Sequence, residues 1–170
     1  MPDRIDHVAI IVRDIEQALL FYRDTLGITP GQIKEVPTEQ VRIAFLPMGG
    51  PGGSEIELIQ PLTSDSSLAK FLEKRGEGLH HICLEVPDID AALAEMQAKG
   101  AAVLDKQPRI AAEGRAIFIH PKAANGVLLE LVEREHMLAP PRLIVRKSKK
   151  PCDGYIFVYI FPVNANAMPN

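Results

Sequence analysis

Apolar residues fall along this chain in two rhythms: short Val/Ile/Leu-rich runs, and stretches with an apolar residue every three or four positions. Residues 4–12, RIDHVAIIV, are a run of the first kind and predict a buried strand. Ile15, Ala18, Leu19, Tyr22 and Leu26 then recur at helical spacing, which predicts a helix to about residue 26. Asp14 is placed to cap it, Gln17 to complete a capping box, and Gly27 to stop it. Strands follow at 41–46 and 55–60, ended by Pro47 and Pro61. The Gly-rich residues 48–54 between them read as a loop. They are not a phosphate loop, because no Gly-Lys-Ser/Thr follows and the next element is a strand. Residues 64–74 predict a short helix, capped by Asp65 or Ser66 and ended near Gly76.

The second half repeats the order. His81-Ile82-Cys83-Leu84 lies on His7-Val8-Ala9-Ile10, and Asp88-Ile89 on Asp14-Ile15, at an offset of 74 residues. A strand is predicted at 79–86 and a helix at 88–99, with Asp88 as N-cap and Gly100 as terminator. A short strand at 101–104 and longer ones at 115–119 and 127–132 complete the set. Later segments match at an offset of 73, with Ile43-Ala44-Phe45-Leu46 on Ala116-Ile117-Phe118-Ile119 and Glu57-Leu58 on Glu130-Leu131. One loop deletion accounts for the drift. Internal repetition of this kind dictates the architecture.

Each half is a strand–helix–strand–strand–strand unit too small to bury its own sheet faces, so the halves are expected to pack together. The prediction is an α+β fold of two tandem βαβββ repeats, about 4–60 and 78–134, within a domain spanning 1–135. Helices cover one face, and a cleft lies between the other faces of two related sheets. Residues 136–170 change character, with Pro140-Pro141 and five Lys or Arg against one Asp. Their segment 155–161, YIFVYIF, is a strong strand former without a counterpart in the first half, and its role in this C-terminal extension is open.

Composition narrows the function classes. A net charge of -3 over 170 residues gives no footprint for nucleic acid, and the lack of tryptophan argues against base stacking. Cys83 and Cys152 lie far apart and define no disulfide framework. The first strand begins at about Arg4, and no apolar run approaches the roughly 20 residues of a membrane span. A soluble, cytoplasmic protein without a membrane partner is the expectation.

Chemistry enters through pairs. The repeat matches His7 with His81 and Glu57 with Glu130. Strand alternation sets Glu57 opposite Ile56 and Leu58, and Glu130 opposite Leu129 and Leu131. If the apolar neighbours face the helices, both carboxylates face the cleft. A lone strand histidine or glutamate is ordinarily a satisfied or solvated residue; recurrence at equivalent positions is what points to a shared metal site. Two imidazoles and two carboxylates suit Zn, Co, Ni, Mn or Fe. His80 is expected on the opposite face as a structural residue, and His120 and His136 in surface loops.

The pattern also resembles a known family. His7-Val8-Ala9-Ile10, the segment from Ala69-Lys70-Phe71-Leu72 to Gly78-Leu79-His80-His81, and His120-Pro121-Lys122 with Gly126-Val127-Leu128-Leu129-Glu130-Leu131 are similar to the vicinal oxygen chelate superfamily. Within it they are most like the methylmalonyl-CoA epimerases, and the likeness covers about residues 4–134. It implies metal ligands at His7, Glu57, His81 and Glu130, a divalent cofactor (Co, Mn, Zn or Ni), an acyl-CoA substrate and a homodimer. The implied reaction interconverts (2R)- and (2S)-methylmalonyl-CoA through a metal-stabilised enolate, with Glu130 and Glu57 as candidate acid–base groups. Some family members carry a catalytic glutamate five residues before the proline that ends the third strand. Here that slot falls on Arg42, with Arg115 as repeat mate, and arginine is a poor base. Arg42 is expected either to meet a substrate carboxylate or CoA phosphate, or to be solvated.

Three other readings share the motif set. Glyoxalase I-type lyases use similar ligands. An iron dioxygenase would need only His7, His81 and Glu130, which makes Glu57 superfluous. A metal-free small-molecule-binding member would have little reason to keep all four donors.

Overall fold

The computed structural model describes residues 1–50 and 52–134. His136, Cys152 and the predicted strand at 155–161 lie outside the described residues. Strand β1 is Arg4–Ile11, β2 Ile33–Val36, β3 Val41–Pro47, β4 Glu55–Pro61, β5 Gly78–Glu85, β6 Arg109–Ile110, β7 Gly114–Ile119 and β8 Leu129–Arg134. Helix α1 is Ile15–Leu19, α2 Ser67–Arg75 and α3 Ile89–Ala98. None of the helices is long and apolar enough to cross a membrane.

The predicted caps form. Asp14 Oδ1 accepts from the Gln17 amide at 3.0 Å, and Asp88 Oδ1 from the Ala91 amide at 2.9 Å. Ser66, rather than Asp65, caps α2 through the Ala69 amide at 3.1 Å. Gly27 and Gly100 end the two repeated helices at φ 72° and 70°, where a side chain would strain the backbone. The first helix differs from expectation in its last turns. Beyond Leu19 it widens into a π-helical segment, Leu20–Thr25.

The strands form one mixed sheet, ordered β2-β3-β4-β1-β5-β8-β7-β6, in place of two separate sheets. β1 pairs with β4 in parallel and β5 with β8 in parallel, while β1 and β5 meet antiparallel at the centre. That seam is the pseudo-twofold between the repeats. The predicted strand at 101–104 reduces to one bridge, Val103 to Ile119. The short strand of the second half is instead β6, and its counterpart β2 was not predicted.

Burial follows the repeat. On the outer face Val12, Ile15, Leu19, Ala44, Leu46 and Leu58 pack under α1. Val86, Ile89, Leu93, Ile117, Ile119 and Leu131 do the same under α3, residue for residue at the sequence offset. Each fully buried Leu or Ile here stabilises the fold by roughly 1.5–3 kcal/mol. The inner face carries a second pair of clusters, Ala9, Ile43 and Ile59 in one half and Cys83, Ala116 and Val132 in the other. The sheet curls around this face: Lys34 of β2 donates to the Ala112 carbonyl in the β6–β7 turn at 2.9 Å, and Ala112 packs on the first inner cluster.

Candidate metal centre

The four predicted donors converge on the inner face, each from its own strand. Alternation holds on β4 and β8: Leu58 and Leu131 enter the outer cores while Glu57 and Glu130 point inward. Strand register then builds two rows. Glu57, Ala9 and His81 lie abreast on β4, β1 and β5. His7, Cys83 and Glu130 lie abreast on β1, β5 and β8. Ala9 and Cys83 are repeat mates, and their small side chains leave the middle of each row open for the flanking donors.

His7 Nε2 lies 3.2 Å from His81 Nε2, 3.4 Å from Glu57 Oε2 and 3.5 Å from Glu130 Oε2. His81 Nε2 is 2.8 Å from Glu130 Oε2. All four residues are buried, none more than 4% exposed. Donors bound about 2.0–2.2 Å from one ion sit about 3 Å from each other, and the spacing of His7, His81 and Glu130 fits a divalent cation, while Glu57 joins His7 in a second close group with Glu113. The donor chemistry fits as well, with two imidazoles and two carboxylates.

Burial and mutual contacts shift the protonation of these groups. Burial opposes a charge on His7, yet hydrogen bonds to Asp6, Cys83 and Glu130 and the charge of Glu57 hold its imidazole well above the usual histidine range. Burial pushes Glu57 well above the usual carboxylate range; His7 opposes this, and Glu113, Glu130 and Glu39 add to it. Burial would raise Glu130 too, but hydrogen bonds to His7 and His81 bring it down to about 2.

A cavity of about 470 Å³ opens onto Glu57, His81 and Glu130. Its wall includes Leu68 and Phe71 of α2, Arg109, and two carboxylates that sequence reading missed, Glu39 and Glu113. Glu39 projects from the β2–β3 turn and Glu113 from the β6–β7 turn. Glu113 is pushed up to about 6, chiefly by burial, and its Oε1 is buried without a hydrogen-bond partner among the described residues. Its carboxylate approaches His7 and Glu57. Both glutamates sit beside hairpin turns, where no strand alternation marks a side chain as inward-facing.

Three other expectations are settled here. His80 does not point away from the site: it lines the cavity, with its Nδ1 2.8 Å from His81 Nδ1. Strict alternation fails because the β1–β5 register slips between His81 and Leu79. Burial, and then the charge on His81, press the His80 pKa down to about 4. Arg42 does not line this cavity; its Nη2 pairs with Glu16 of α1 at 2.7 Å, as its repeat mate Arg115 pairs with Asp90 near the start of α3 at 2.8 Å. The cavity-facing neighbour of Arg42 is Ile43. His120 is a loop residue, as read, and caps the short turn Pro121–Ala123 by accepting from the Lys122 amide at 3.0 Å.

Residues 6–118 match the family described as the Glyoxalase/Bleomycin resistance protein/Dioxygenase superfamily. The chain is 43% identical over 134 residues to an ethylmalonyl-CoA/methylmalonyl-CoA epimerase of Cereibacter sphaeroides, spanning 77% of this chain and 98% of that protein. It is 40% identical over 130 residues to the mitochondrial methylmalonyl-CoA epimerase of Mus musculus, covering 75% and 71%. Among solved structures it is similar to a Streptomyces coelicolor methylmalonyl-CoA epimerase in complex with 2-nitronate-propionyl-CoA, at TM-score 0.75, 37% identity and coverage of 79% and 99%. The chain therefore belongs to the glyoxalase, or vicinal oxygen chelate, superfamily. Within that class it is closely related to the methylmalonyl-CoA epimerases.

Proposed function

We propose that this protein is a metal-dependent epimerase that interconverts (2R)- and (2S)-methylmalonyl-CoA. One observation carries the reading: in a chain about 40% identical to such epimerases, equivalent carboxylates from both repeats flank a single donor cluster at the floor of a ligand-sized cavity. The C2 proton of the substrate is acidified by the adjacent thioester, whose carbonyl takes up the charge as an enolate, while the ionised carboxylate on the other side opposes a second negative charge. Epimerisation removes it from one face and returns a proton to the other, so two acid–base groups are needed. Glu57 and Glu130 approach from opposite halves and are assigned these roles, together with ligation alongside His7 and His81. When bound, a divalent ion supplies Lewis-acid stabilisation of the charge that develops on the thioester oxygen. Leu68, Phe71 and Phe118 supply apolar surface on the cavity wall.

The test is incubation of the metal-loaded protein with methylmalonyl-CoA in heavy water. Deuterium at C2 and interconversion of the epimers are expected. No exchange, together with turnover of a hemithioacetal by the same preparation, overturns the assignment in favour of glyoxalase chemistry.

A further inference from the structure

The register between β1 and β5 slips twice, once at Asp6 and once at His80. Asp6 directly precedes His7 and His80 directly precedes His81, so the slips occupy equivalent positions of the two repeats. Neighbours in a regular strand project to opposite faces, and a bulge re-aims a side chain so that two successive ones can meet. The result is the same contact in both halves. Asp6 Oδ1 lies 2.9 Å from His7 Nδ1, and His80 Nδ1 lies 2.8 Å from His81 Nδ1. In both, Nε2 of the following histidine is left facing the donor cluster.

We propose that Asp6 and His80 are matched positioning residues, each accepting the Nδ1 hydrogen of the next histidine and so fixing the tautomer that offers Nε2 to a divalent ion. This rests on the metal-centre reading above. An imidazole that binds through Nε2 carries its hydrogen on Nδ1, which must be given to an acceptor. Asp6 is fully buried and is an acceptor only; Arg134 holds it from the far side, through Nε at 2.5 Å and Nη2 at 2.9 Å. His80 can accept only as the neutral ring with its own hydrogen on Nε2. The Phe71 ring, edge-on at 4.8 Å, holds it in place.

The two acceptors differ in charge, and so do the histidines they prepare. A carboxylate raises the donor strength of its histidine more than a neutral ring does. His7 is therefore the stronger ligand and His81 the weaker one, although the backbone treats them alike. The sequence hides this, because a repeat comparison aligns Asp6 with His80 as a mismatch.

Cobalt(II) titration of the metal-free protein, followed by its ligand-field absorption and by chelator competition, tests the proposal without any substrate. His80→Leu, which lacks an acceptor, is expected to weaken cobalt binding about 10- to 100-fold, while His80→Asn, which keeps one, stays within about threefold of wild type. Asp6→Asn is expected to weaken binding more than His80→Asn does. Cobalt binding unchanged in His80→Leu, or equally lost in His80→Leu and His80→Asn, overturns it. Nitrogen-15 NMR of the zinc-loaded wild type gives a check independent of whether variants fold. His81 should show hydrogen on Nδ1 and His80 hydrogen on Nε2; hydrogen on His80 Nδ1 overturns the proposal. A wild type that binds no divalent ion sinks the metal centre itself, a different outcome from variants that bind as wild type does.

Discussion

The two halves of the sheet agree where they build the scaffold and diverge where they face the cavity. Their outer cores match position by position, from Val12 and Val86 to Leu58 and Leu131. Even the strand-to-helix ion pairs recur, Arg42 with Glu16 and Arg115 with Asp90. On the inner side the donors His7, His81, Glu57 and Glu130 recur as well, but their surroundings do not. One histidine leans on a carboxylate backed by Arg134, the other on a neutral imidazole backed by Phe71. The second half also contributes more of the cavity wall, through Leu104, Asp105, Arg109 and Phe118. Duplication supplied a symmetric frame. Under the proposed epimerase reading the substrate, with one thioester and one carboxylate, has no twofold axis of its own.

Breaking a shared donor should have the largest effect. His7→Ala or His81→Ala is expected to abolish stoichiometric metal binding, measured by elemental analysis, and to lower epimerisation more than about a thousandfold. Next comes the shared core: Leu58→Ala and Leu131→Ala, fully or nearly fully buried repeat mates, should each cost about 2–5 kcal/mol in denaturant unfolding, and by similar amounts. A wide gap between them would show that the two cores are not energetically equivalent.

A smaller effect separates the halves through Glu113. Its folded-state pKa is raised to about 6, so the folded protein keeps this proton longer than the unfolded chain does. Stability is then lost as pH rises from about 4.5 to 6, and the loss, about 2 kcal/mol, persists above that window. In the metal-free protein Glu113→Gln should melt several degrees above wild type at about pH 8, with the difference closing below about pH 4. The smallest effects belong to the exposed ion pairs. Arg42→Ala and Arg115→Ala should each change stability by less than about 1 kcal/mol and leave epimerisation kinetics unchanged. A large rise in KM for Arg42→Ala alone would return that residue to the substrate.

Much of this frame was legible in the chain because it rests on local rules. Ile56 and Leu58 flanking Glu57 sufficed to place it inward, and Asp14 and Asp88 announced both helices. What escaped depends on distant pairings. The bulges at Asp6 and His80 are properties of the register between strands about 74 residues apart, so alternation misplaced His80. Strand β2, with its alternating exposed and half-buried residues, buries too little to leave a hydrophobic signature. Residues 101–104 are the more strand-like in sequence, yet they make only one bridge to β7, Val103 to Ile119, whereas 109–110 pair with it over two residues.

The central seam also sets a schedule for folding. Arg4 pairs with Glu85 and Ile11 with Gly78, so during synthesis β1 waits for β5. Until then β1 has one unpaired edge, and His7 faces solvent without its partner histidine. Pairings this distant in sequence close slowly, and an open edge invites association with other chains in the interval. Neither repeat holds all four donors, so under the metal-centre reading a bound ion locks a seam that has already closed and does not nucleate half a protein.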